Sequence, residues 1–157
     1  MYAQVNKYLV YVLCIFLIFF ISGCGPVSTG DYYARVVYVY DGDTVKLDNG
    51  ERVRYLGIDT PEMNYKNPPA EHFAEEAKRF NLNLVDKRKV RLEFDTVKRD
   101  KYDRLLAYVY IDDVFINAKM IEEGYAKVYI IPPNVKYADD FLDLQRKAKA
   151  GNKGIWN

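Results

Sequence analysis

The sequence predicts an α+β protein, mainly β, built as a five-stranded barrel with about three α-helices. Two observations lead to this class. Short segments rich in β-branched and aromatic residues alternate with turn residues between positions 32 and 112, as expected of antiparallel strands. Apolar residues at helical spacing appear between the third and fourth of these strands and again near the C-terminus. The chain has 157 residues, which is enough for one domain with a single core.

The first three strands are predicted to follow one another as an antiparallel meander. Residues 32–40 (YYARVVYVY) form the first strand, and Asp41-Gly42 supplies a turn. The second strand covers residues 43–48, where apolar and polar side chains alternate. Asn49-Gly50 predicts a two-residue hairpin loop, because both residues tolerate positive φ. The third strand then begins at Arg52.

The remaining elements follow from periodicity and from residues that end helices. They are a helix over residues 70–85, strands over 89–97 and 105–112, a short helix capped by Asn117, a short strand after residue 126 and a helix over 138–150. Five strands with a helix between the third and fourth match the order of an OB-fold barrel. This fold often binds oligonucleotides, but a fold alone does not establish function.

The first two dozen residues differ from the rest of the chain. After Lys7, a run of fourteen apolar residues ends at Ile21, which suits a signal peptide and is short for a membrane-spanning helix. The following Ile-Ser-Gly-Cys sequence resembles the lipobox of bacterial lipoproteins, with Cys24 as the acylated residue. We therefore expect a signal peptide over residues 1–23, a tether over 24–31 and a domain over 32–157, lipid-anchored at the cell membrane outside the cytoplasm. The alternative is an uncleaved anchor.

Composition excludes several classes of site. The two cysteines are Cys14, inside the apolar run, and Cys24, so a domain without the leader has no thiol for a disulfide, a four-cysteine zinc site or a cysteine nucleophile. Lys and Arg number 23 against 22 Asp and Glu, so any site for an anion must be local. His72 is the only histidine, and we interpret it as a surface or packing residue away from the charged clusters.

Two carboxylates are predicted to meet at one end of the meander. Asp43 starts the second strand and Asp59 ends the third, so the hairpin brings them together. Carboxylates that close repel each other unless a cation lies between them, and hard oxygen ligands suit Ca²⁺ or Mg²⁺. A flat strand would send Arg54 and Asp59 to opposite faces, and Gly57 is predicted to mark the bend that corrects this.

Arginines complete the pattern. Arg54 and Arg104 are the residue type that binds phosphate with two parallel hydrogen bonds. Carboxylates, a metal ion and paired arginines together describe a site that cleaves phosphodiesters. Each cluster alone also has a structural interpretation as a turn or a solvated charge. Their occurrence together, in this order, favours the catalytic interpretation.

The sequence resembles the thermonuclease, or staphylococcal nuclease-like (SNase-like), family in four motifs and in its closing residues. The motifs are DGDTVKL, RYLGIDTPE, DKYDRLLAYVY and INAKMIEEGYAKV, and the closing residues are GIWN. The resemblance covers about residues 34–156. It implies a Ca²⁺-dependent endonuclease that cleaves DNA and RNA to products with 3′-phosphates. We expect single strands to be favoured and the protein to be a monomer.

The resemblance also implies a role for each matching residue. Asp43 and Asp59 would bind Ca²⁺ through carboxylates and Thr60 through its carbonyl; Glu62 would hold or deprotonate the attacking water; Arg54 and Arg104 would stabilise the transition state; Lys101 and Tyr102 would bind a terminal phosphate. Asp103 stands where a glycine is usual, and we expect its charge to weaken phosphate binding by Arg104. Residues 129–132 are Tyr-Ile-Ile-Pro, and this segment departs from the family, which often places stacking tyrosines there.

Two other functions remain open at this point. The chain could be an OB-fold lipoprotein that binds nucleic acid without cutting it, or a structural lipoprotein of the cell envelope. The presence of Asp43, Glu62 and Arg104 favours the nuclease, because a module that only binds has no need of this acid and arginine set.

Overall fold

Five strands close into a barrel through one parallel pairing. The structure is a computed structural model that describes residues 32–157, so the predicted signal peptide, Cys24 and tether lie outside the described residues. The strands are β1 (Tyr32–Val39), β2 (Thr44–Leu47), β3 (Arg52–Tyr55), β4 (Ile58–Asp59), β5 (Lys89–Glu93), β6 (Leu105–Ile111), β7 (Val114–Phe115) and β8 (Lys127–Val128). In the order β3-β2-β1-β5-β6 neighbours are antiparallel, and β3 also pairs in parallel with β6. The predicted five-stranded OB-fold class is confirmed.

Within residues 32–157, three α-helices accompany the barrel, as predicted. They are α1 (Ala74–Val85), α2 (Ile116–Glu122) and α3 (Ala138–Ala150), and a short 3₁₀ helix covers Gly154–Trp156. The start of α1 is four residues later than predicted, because Phe73 before it adopts a left-handed conformation with φ 71°. None of the helices within residues 32–157 combines the length and the hydropathy needed to span a membrane.

The predicted cap of α2 is wrong. Phe115 precedes the helix, and Asn117 lies inside it with its side chain fully buried. The Asn117 amide accepts a hydrogen bond from the Val109 N–H at 2.9 Å and donates one to the Leu56 carbonyl at 2.8 Å. A buried amide must satisfy its polar atoms, and this one does so by tying α2 to β6 and to the end of β3.

The loop between β2 and β3 also differs from the prediction. The Leu47 N–H donates to the Glu51 carbonyl, so three residues rather than two form the loop. Gly50 adopts a positive φ of 89°, whereas Asn49 does not. This is the arrangement of a turn followed by a left-handed glycine, which accommodates the twist of the flanking strands with one positive φ instead of two.

The barrel core is apolar and continuous. Val36, Val45, Leu92 and Val109, the core residues expected from the alternating pattern, are all buried. Tyr55 is also buried, and its hydroxyl donates to the Asn81 amide oxygen at 3.1 Å, which gives the phenol the partner that a buried tyrosine requires. The core is therefore complete without any contribution from a bound ion.

A sharp turn after β3 positions the charged residues. Gly57 has φ +77° and joins β3 to β4, which pairs with β8. The predicted bend at Gly57 is confirmed, and it brings the Arg54 and Asp59 side chains into contact at 2.7 Å. Glycine is required here because a Cβ atom would lie 2.6 Å from Cε2 of Phe141.

Replacing Gly57 with alanine should lower the free energy of unfolding by about 2–4 kcal/mol, the sum of a left-handed alanine and an overpacked core. Gly50→Ala is the matched control, because Gly50 also has a positive φ but nothing lies within 4 Å of the added Cβ. The control should lose only about 1 kcal/mol. Urea denaturation of both variants measures the difference. Equal losses would contradict a steric role for Phe141.

Candidate active site

Asp43 is a buried carboxylate held by three donors besides an arginine. Its side chain lies at the start of β2 and the residue is only 4% exposed. One oxygen accepts from the Thr44 hydroxyl at 3.0 Å. The other accepts from the Thr60 N–H at 2.9 Å and the Thr60 hydroxyl at 3.0 Å. Asp43 therefore fixes the segment after β4 against the loop between β1 and β2.

The Arg54 guanidinium joins the two carboxylates that the sequence assigned to a cation. One nitrogen lies 2.9 Å from the Asp43 carboxylate, and the other lies 2.7 Å from that of Asp59. The first nitrogen also donates to the Ile58 carbonyl at 2.9 Å. The predicted meeting of Asp43 and Asp59 thus takes place around Arg54. A contribution of Arg54 to phosphate binding stays a prediction.

Four carboxyl groups crowd this end of the barrel, and all four have raised pKa values. Burial is the main cause for each of them, and it raises the pKa of Asp43 to about 6. Mutual repulsion adds to it: Asp43 and Asp59 raise the pKa of Glu62, and Glu62 raises that of Asp41. Arg54 opposes the increase at each of the four acids. The excess of negative charge favours binding of a further cation.

The donor set fits a hard divalent cation held in an open site. Carboxylate and carbonyl oxygens are the ligands that Ca²⁺ and Mg²⁺ prefer. Within residues 32–157, His, Cys, Asp and Glu side chains do not form a group of three or more that could hold a metal ion. Asp43, Asp59 and the Thr60 carbonyl would supply three ligands. Water and substrate oxygens would then fill about half or more of the roughly 6–8 coordination positions of Ca²⁺.

Asp41 belongs to this carboxylate cluster, although the sequence indicated only a turn. Its carboxylate accepts a hydrogen bond from the Asp43 N–H at 3.0 Å, and its backbone carbonyl accepts one from the buried Asn81 amide at 3.1 Å. The repeated acid in the Asp-Gly-Asp motif was the available signal. Asn81 gave none, because an asparagine inside a helical pattern is usually a surface residue.

Glu62 is exposed beside the cluster, and a second glutamate fixes its backbone. The Glu62 N–H donates to the Glu71 carboxylate at 3.0 Å, while the Glu71 N–H donates to the Glu62 carbonyl at 2.9 Å. The pKa of the Glu62 carboxyl is raised towards neutral pH, which suits a general base. No sequence motif indicated Glu71, whose two hydrogen bonds to Glu62 hold the Glu62 backbone in place.

The prediction that His72 lies away from the charged clusters is wrong. Because the paired backbones of Glu62 and Glu71 close the intervening loop, His72 returns to the site. A groove of about 330 Å³ is lined by Asp59, Thr60, Pro61, Glu71, His72, Lys127, Ile155 and Trp156. His72 is exposed there and its ring packs against that of Phe73.

Arg104 lies beside β3 rather than within the carboxylate cluster. Its Nε donates to the Asp100 carboxylate at 2.7 Å, and its guanidinium lies 5.6 Å from the centre of the Tyr102 ring. The residue after it, Leu105, pairs with Val53, the neighbour of Arg54. The parallel pairing of β3 and β6 is therefore what brings the two predicted catalytic arginines to neighbouring strands.

The loop before β6 presents the predicted phosphate-binding residues to solvent. Tyr102 is 59% exposed, and the Lys101 ammonium lies 5.0 Å from the centre of its ring. Asp103 has φ 60°, which explains why a glycine is usual at this position. Its carboxylate pairs at 3.2 Å with Arg99, which also pairs with Glu51, and a weakening effect of Asp103 on Arg104 stays a prediction.

Comparison with known proteins identifies the family. Residues 52–157 match the staphylococcal nuclease homologue family. The chain belongs to this family. The predicted SNase-like resemblance is thus confirmed, and Asp43 lies just before the matched range.

Curated relatives agree with this assignment. The SPbeta prophage-derived endonuclease YokF and the endonuclease YncB, both of Bacillus subtilis (strain 168), are each 43% identical over 122 residues, or 74% of this chain. The aligned region covers 41% and 58% of their lengths, so the chain spans about half of these two relatives. The thermonuclease of Staphylococcus intermedius is 36% identical over 154 residues, covering 92% of each chain.

Replacing Asp43 with asparagine should remove a loss of stability that the wild type undergoes between acidic and neutral pH when metal is chelated. Because burial raises the folded-state pKa from 3.8 to about 6, the wild type loses stability as the pH rises through this window. The variant lacks this titration. Its free energy of unfolding relative to wild type should therefore rise by about 1–3 kcal/mol from acidic to neutral pH. Urea denaturation across the window measures this, and a pH-independent difference would contradict it.

Proposed function

We propose that this protein is a calcium-dependent nuclease that hydrolyses phosphodiester bonds of DNA and RNA and leaves 3′-phosphates. The observation that carries the proposal is the carboxylate cluster at the barrel rim, where Asp43 and Asp59 meet around Arg54. Membership of the staphylococcal nuclease homologue family supports a nuclease, and so do relatives that are named endonucleases and thermonuclease. Calcium and the product type come from the family resemblance.

Different residues would bind the ion, take a proton from the attacking water and contact the phosphate. Asp43, Asp59 and the Thr60 carbonyl would hold Ca²⁺, which when bound supplies positive charge to a phosphate oxygen. Glu62 stands beside them with a raised pKa and would take a proton from the attacking water. Before substrate arrives, the Asp43 and Asp59 carboxylates hold Arg54 in place, which limits the reorganisation needed when it meets a phosphate.

The loop before β6 would fix the substrate on one side of this centre. Asp100 orients Arg104 by accepting hydrogen bonds from its Nε and its backbone N–H, at 2.7 and 3.0 Å. The remaining guanidinium nitrogens can then donate to a phosphate oxygen. Lys101 and the exposed Tyr102 would hold the next phosphate along the strand.

Removal of Ca²⁺ should stop hydrolysis without unfolding the protein. The core residues need no ion, so excess chelator should leave the circular-dichroism spectrum unchanged while abolishing cleavage of a labelled single strand. Mg²⁺ should restore binding better than cleavage, because it demands octahedral geometry and releases water reluctantly. Full activity in chelator would remove the metal from the mechanism. Absence of cleavage in millimolar Ca²⁺ would instead favour an OB-fold module that only binds nucleic acid.

Arg104→Ala should lower turnover by a factor on the order of 10², the usual effect of losing one preoriented donor to developing negative charge. Arg104→Lys should restore little, because an ammonium lacks the two-point geometry of a guanidinium. Arg146→Ala on α3 is the control for loss of one exposed positive charge. Steady-state cleavage rates distinguish the two effects. A lysine variant with wild-type turnover would reduce the role of Arg104 to bulk charge.

We further propose that the enzyme is a monomer anchored by lipid to the cell membrane outside the cytoplasm. The apolar run ending at Ile21 and the lipobox-like sequence at Cys24 support this location. Cys24→Ser should then abolish acylation and release the protein from the membrane fraction. Unchanged detergent partitioning of the variant would indicate an uncleaved N-terminal anchor instead.

A further inference from the structure

Three tyrosines and a lysine form a surface cluster beside the carboxylates. This tyrosine–lysine cluster consists of Tyr38, Tyr40, Tyr65 and Lys78. The Tyr38 and Tyr40 rings meet edge to face with centres 4.9 Å apart. The Lys78 ammonium donates to the Tyr65 hydroxyl at 2.6 Å, and that hydroxyl donates to the Tyr40 carbonyl at 2.6 Å. The ammonium also lies 5.7 Å from the Tyr38 ring centre and 5.2 Å from that of Tyr65.

The cluster leaves aromatic surface and positive charge available to a ligand. Tyr38 is 48% exposed and Tyr65 is 60% exposed, so neither ring is taken up by the core. Lys78 forms no ion pair with a carboxylate among residues 32–157. Exposed aromatic faces around a cation match the two chemical features of a nucleic-acid strand, its bases and its phosphates.

Two chain segments connect this cluster to the carboxylate cluster. Tyr40 directly precedes Asp41, whose carboxylate accepts from the Asp43 N–H. Tyr65 lies three residues after Glu62 in the same loop. In addition Asn81, one turn along α1 from Lys78, donates to the Asp41 carbonyl at 3.1 Å. The tyrosine–lysine cluster is therefore held next to the carboxylates by the backbone segments that carry them.

The strand order places this cluster across the site from the loop before β6. Along the barrel the order is β1, β2, β3 and β6. Tyr38 lies on β1 and Tyr40 directly follows it, whereas Lys101 and Tyr102 directly precede β6. Arg54 lies on β3 between the two. A strand whose reacting phosphate lies at Arg54 would thus have one basic, aromatic contact region on each side.

We propose that the tyrosine–lysine cluster is a binding subsite for single-stranded nucleic acid. Bases stack on the exposed faces of Tyr38 and Tyr65, and Lys78 binds a phosphate between them. Residues 129–132 contain a single tyrosine, the exposed Tyr129, and this subsite adds aromatic faces from β1 and the loop after Glu62. The proposal rests on the proposed nuclease function and extends it to the length of strand that the protein contacts.

The chain offers a matched control for this proposal. Tyr33 lies on the same strand, β1, is 51% exposed and has the Lys89 ammonium 4.6 Å from its ring centre. It precedes Tyr38 by five residues, which is roughly 16–17 Å along a strand and away from the carboxylates. Tyr33→Ala/Lys89→Gln therefore removes the same groups as Tyr38→Ala/Lys78→Gln from a second exposed tyrosine–lysine pair.

The test is binding of fluorescein-labelled oligothymidylates to the full chain in excess chelator, followed by fluorescence anisotropy. For a twelve-nucleotide strand, Tyr38→Ala/Lys78→Gln should weaken binding at least tenfold, because one lost stacking contact alone typically accounts for about 5- to 150-fold. The control variant should change the affinity less than threefold. Tyr38→Phe, which keeps the aromatic face, should bind nearly as tightly as the wild type. The loss should be smaller for a dinucleotide, which is too short to reach both contact regions.

Equal losses in the cluster variant and the control variant would overturn the proposal, and so would absence of oligonucleotide binding by the wild type. Vesicles containing an anionic phospholipid provide a further arm. If the cluster variant loses affinity for vesicles but not for the oligonucleotide, the cluster is a membrane contact and the proposal fails. Cleavage assayed separately with Ca²⁺ tests the nuclease proposal independently of the subsite proposal. If the wild type does not cleave but its binding depends on the cluster, only the nuclease proposal is rejected. If the wild type cleaves and its binding does not depend on the cluster, only the subsite proposal is rejected.

Discussion

The candidate site depends on the need to satisfy one buried carboxylate. Asp43 is almost fully buried, and an ionised group in that environment is tolerated only when it is paired and hydrogen-bonded. Its partners come from three parts of the chain: Thr44 on the same strand, Arg54 on β3, and Thr60 after β4. Satisfying this one acid therefore fixes the relative positions of the segments that carry every predicted metal ligand.

The same arrangement lowers the stability of the fold in favour of cation binding. Four acids with raised pKa values surround one arginine, so their ionisation at neutral pH disfavours the folded state. The barrel tolerates this because its apolar core is separate from the cluster and needs no ion. Such local destabilisation is common where a protein must bind charge, and here a divalent cation would neutralise part of it.

The surroundings of the cluster suggest how a long, flexible substrate is guided to it. In the strand order, the loop before β6 presents Lys101 and Tyr102 on one side of β3, and the tyrosine–lysine cluster lies on the side of β1. Both regions combine a lysine with an exposed tyrosine, which suits a strand without sequence preference, since every base has a stacking face and every nucleotide a phosphate. The parallel pairing of β3 and β6 sets the arrangement by putting Arg54 between them.

The sequence by itself determined the strand order, the OB-fold class, the family and the meeting of Asp43 with Asp59. These follow from local patterns: alternation along strands, turn residues, and a meander whose hairpin geometry brings two ends together. The tertiary structure alone decided that Arg54 bridges the two acids, that Asp41 joins them, that Asn117 is a buried residue inside α2 rather than its cap, and that His72 lines the same groove as Asp59. It also decided that Tyr65 and Lys78 meet Tyr38 and Tyr40. Most of these features depend on contacts between residues far apart in the chain. Packing and the partners that buried polar groups require fix those contacts, and the local periodicity of a sequence encodes neither.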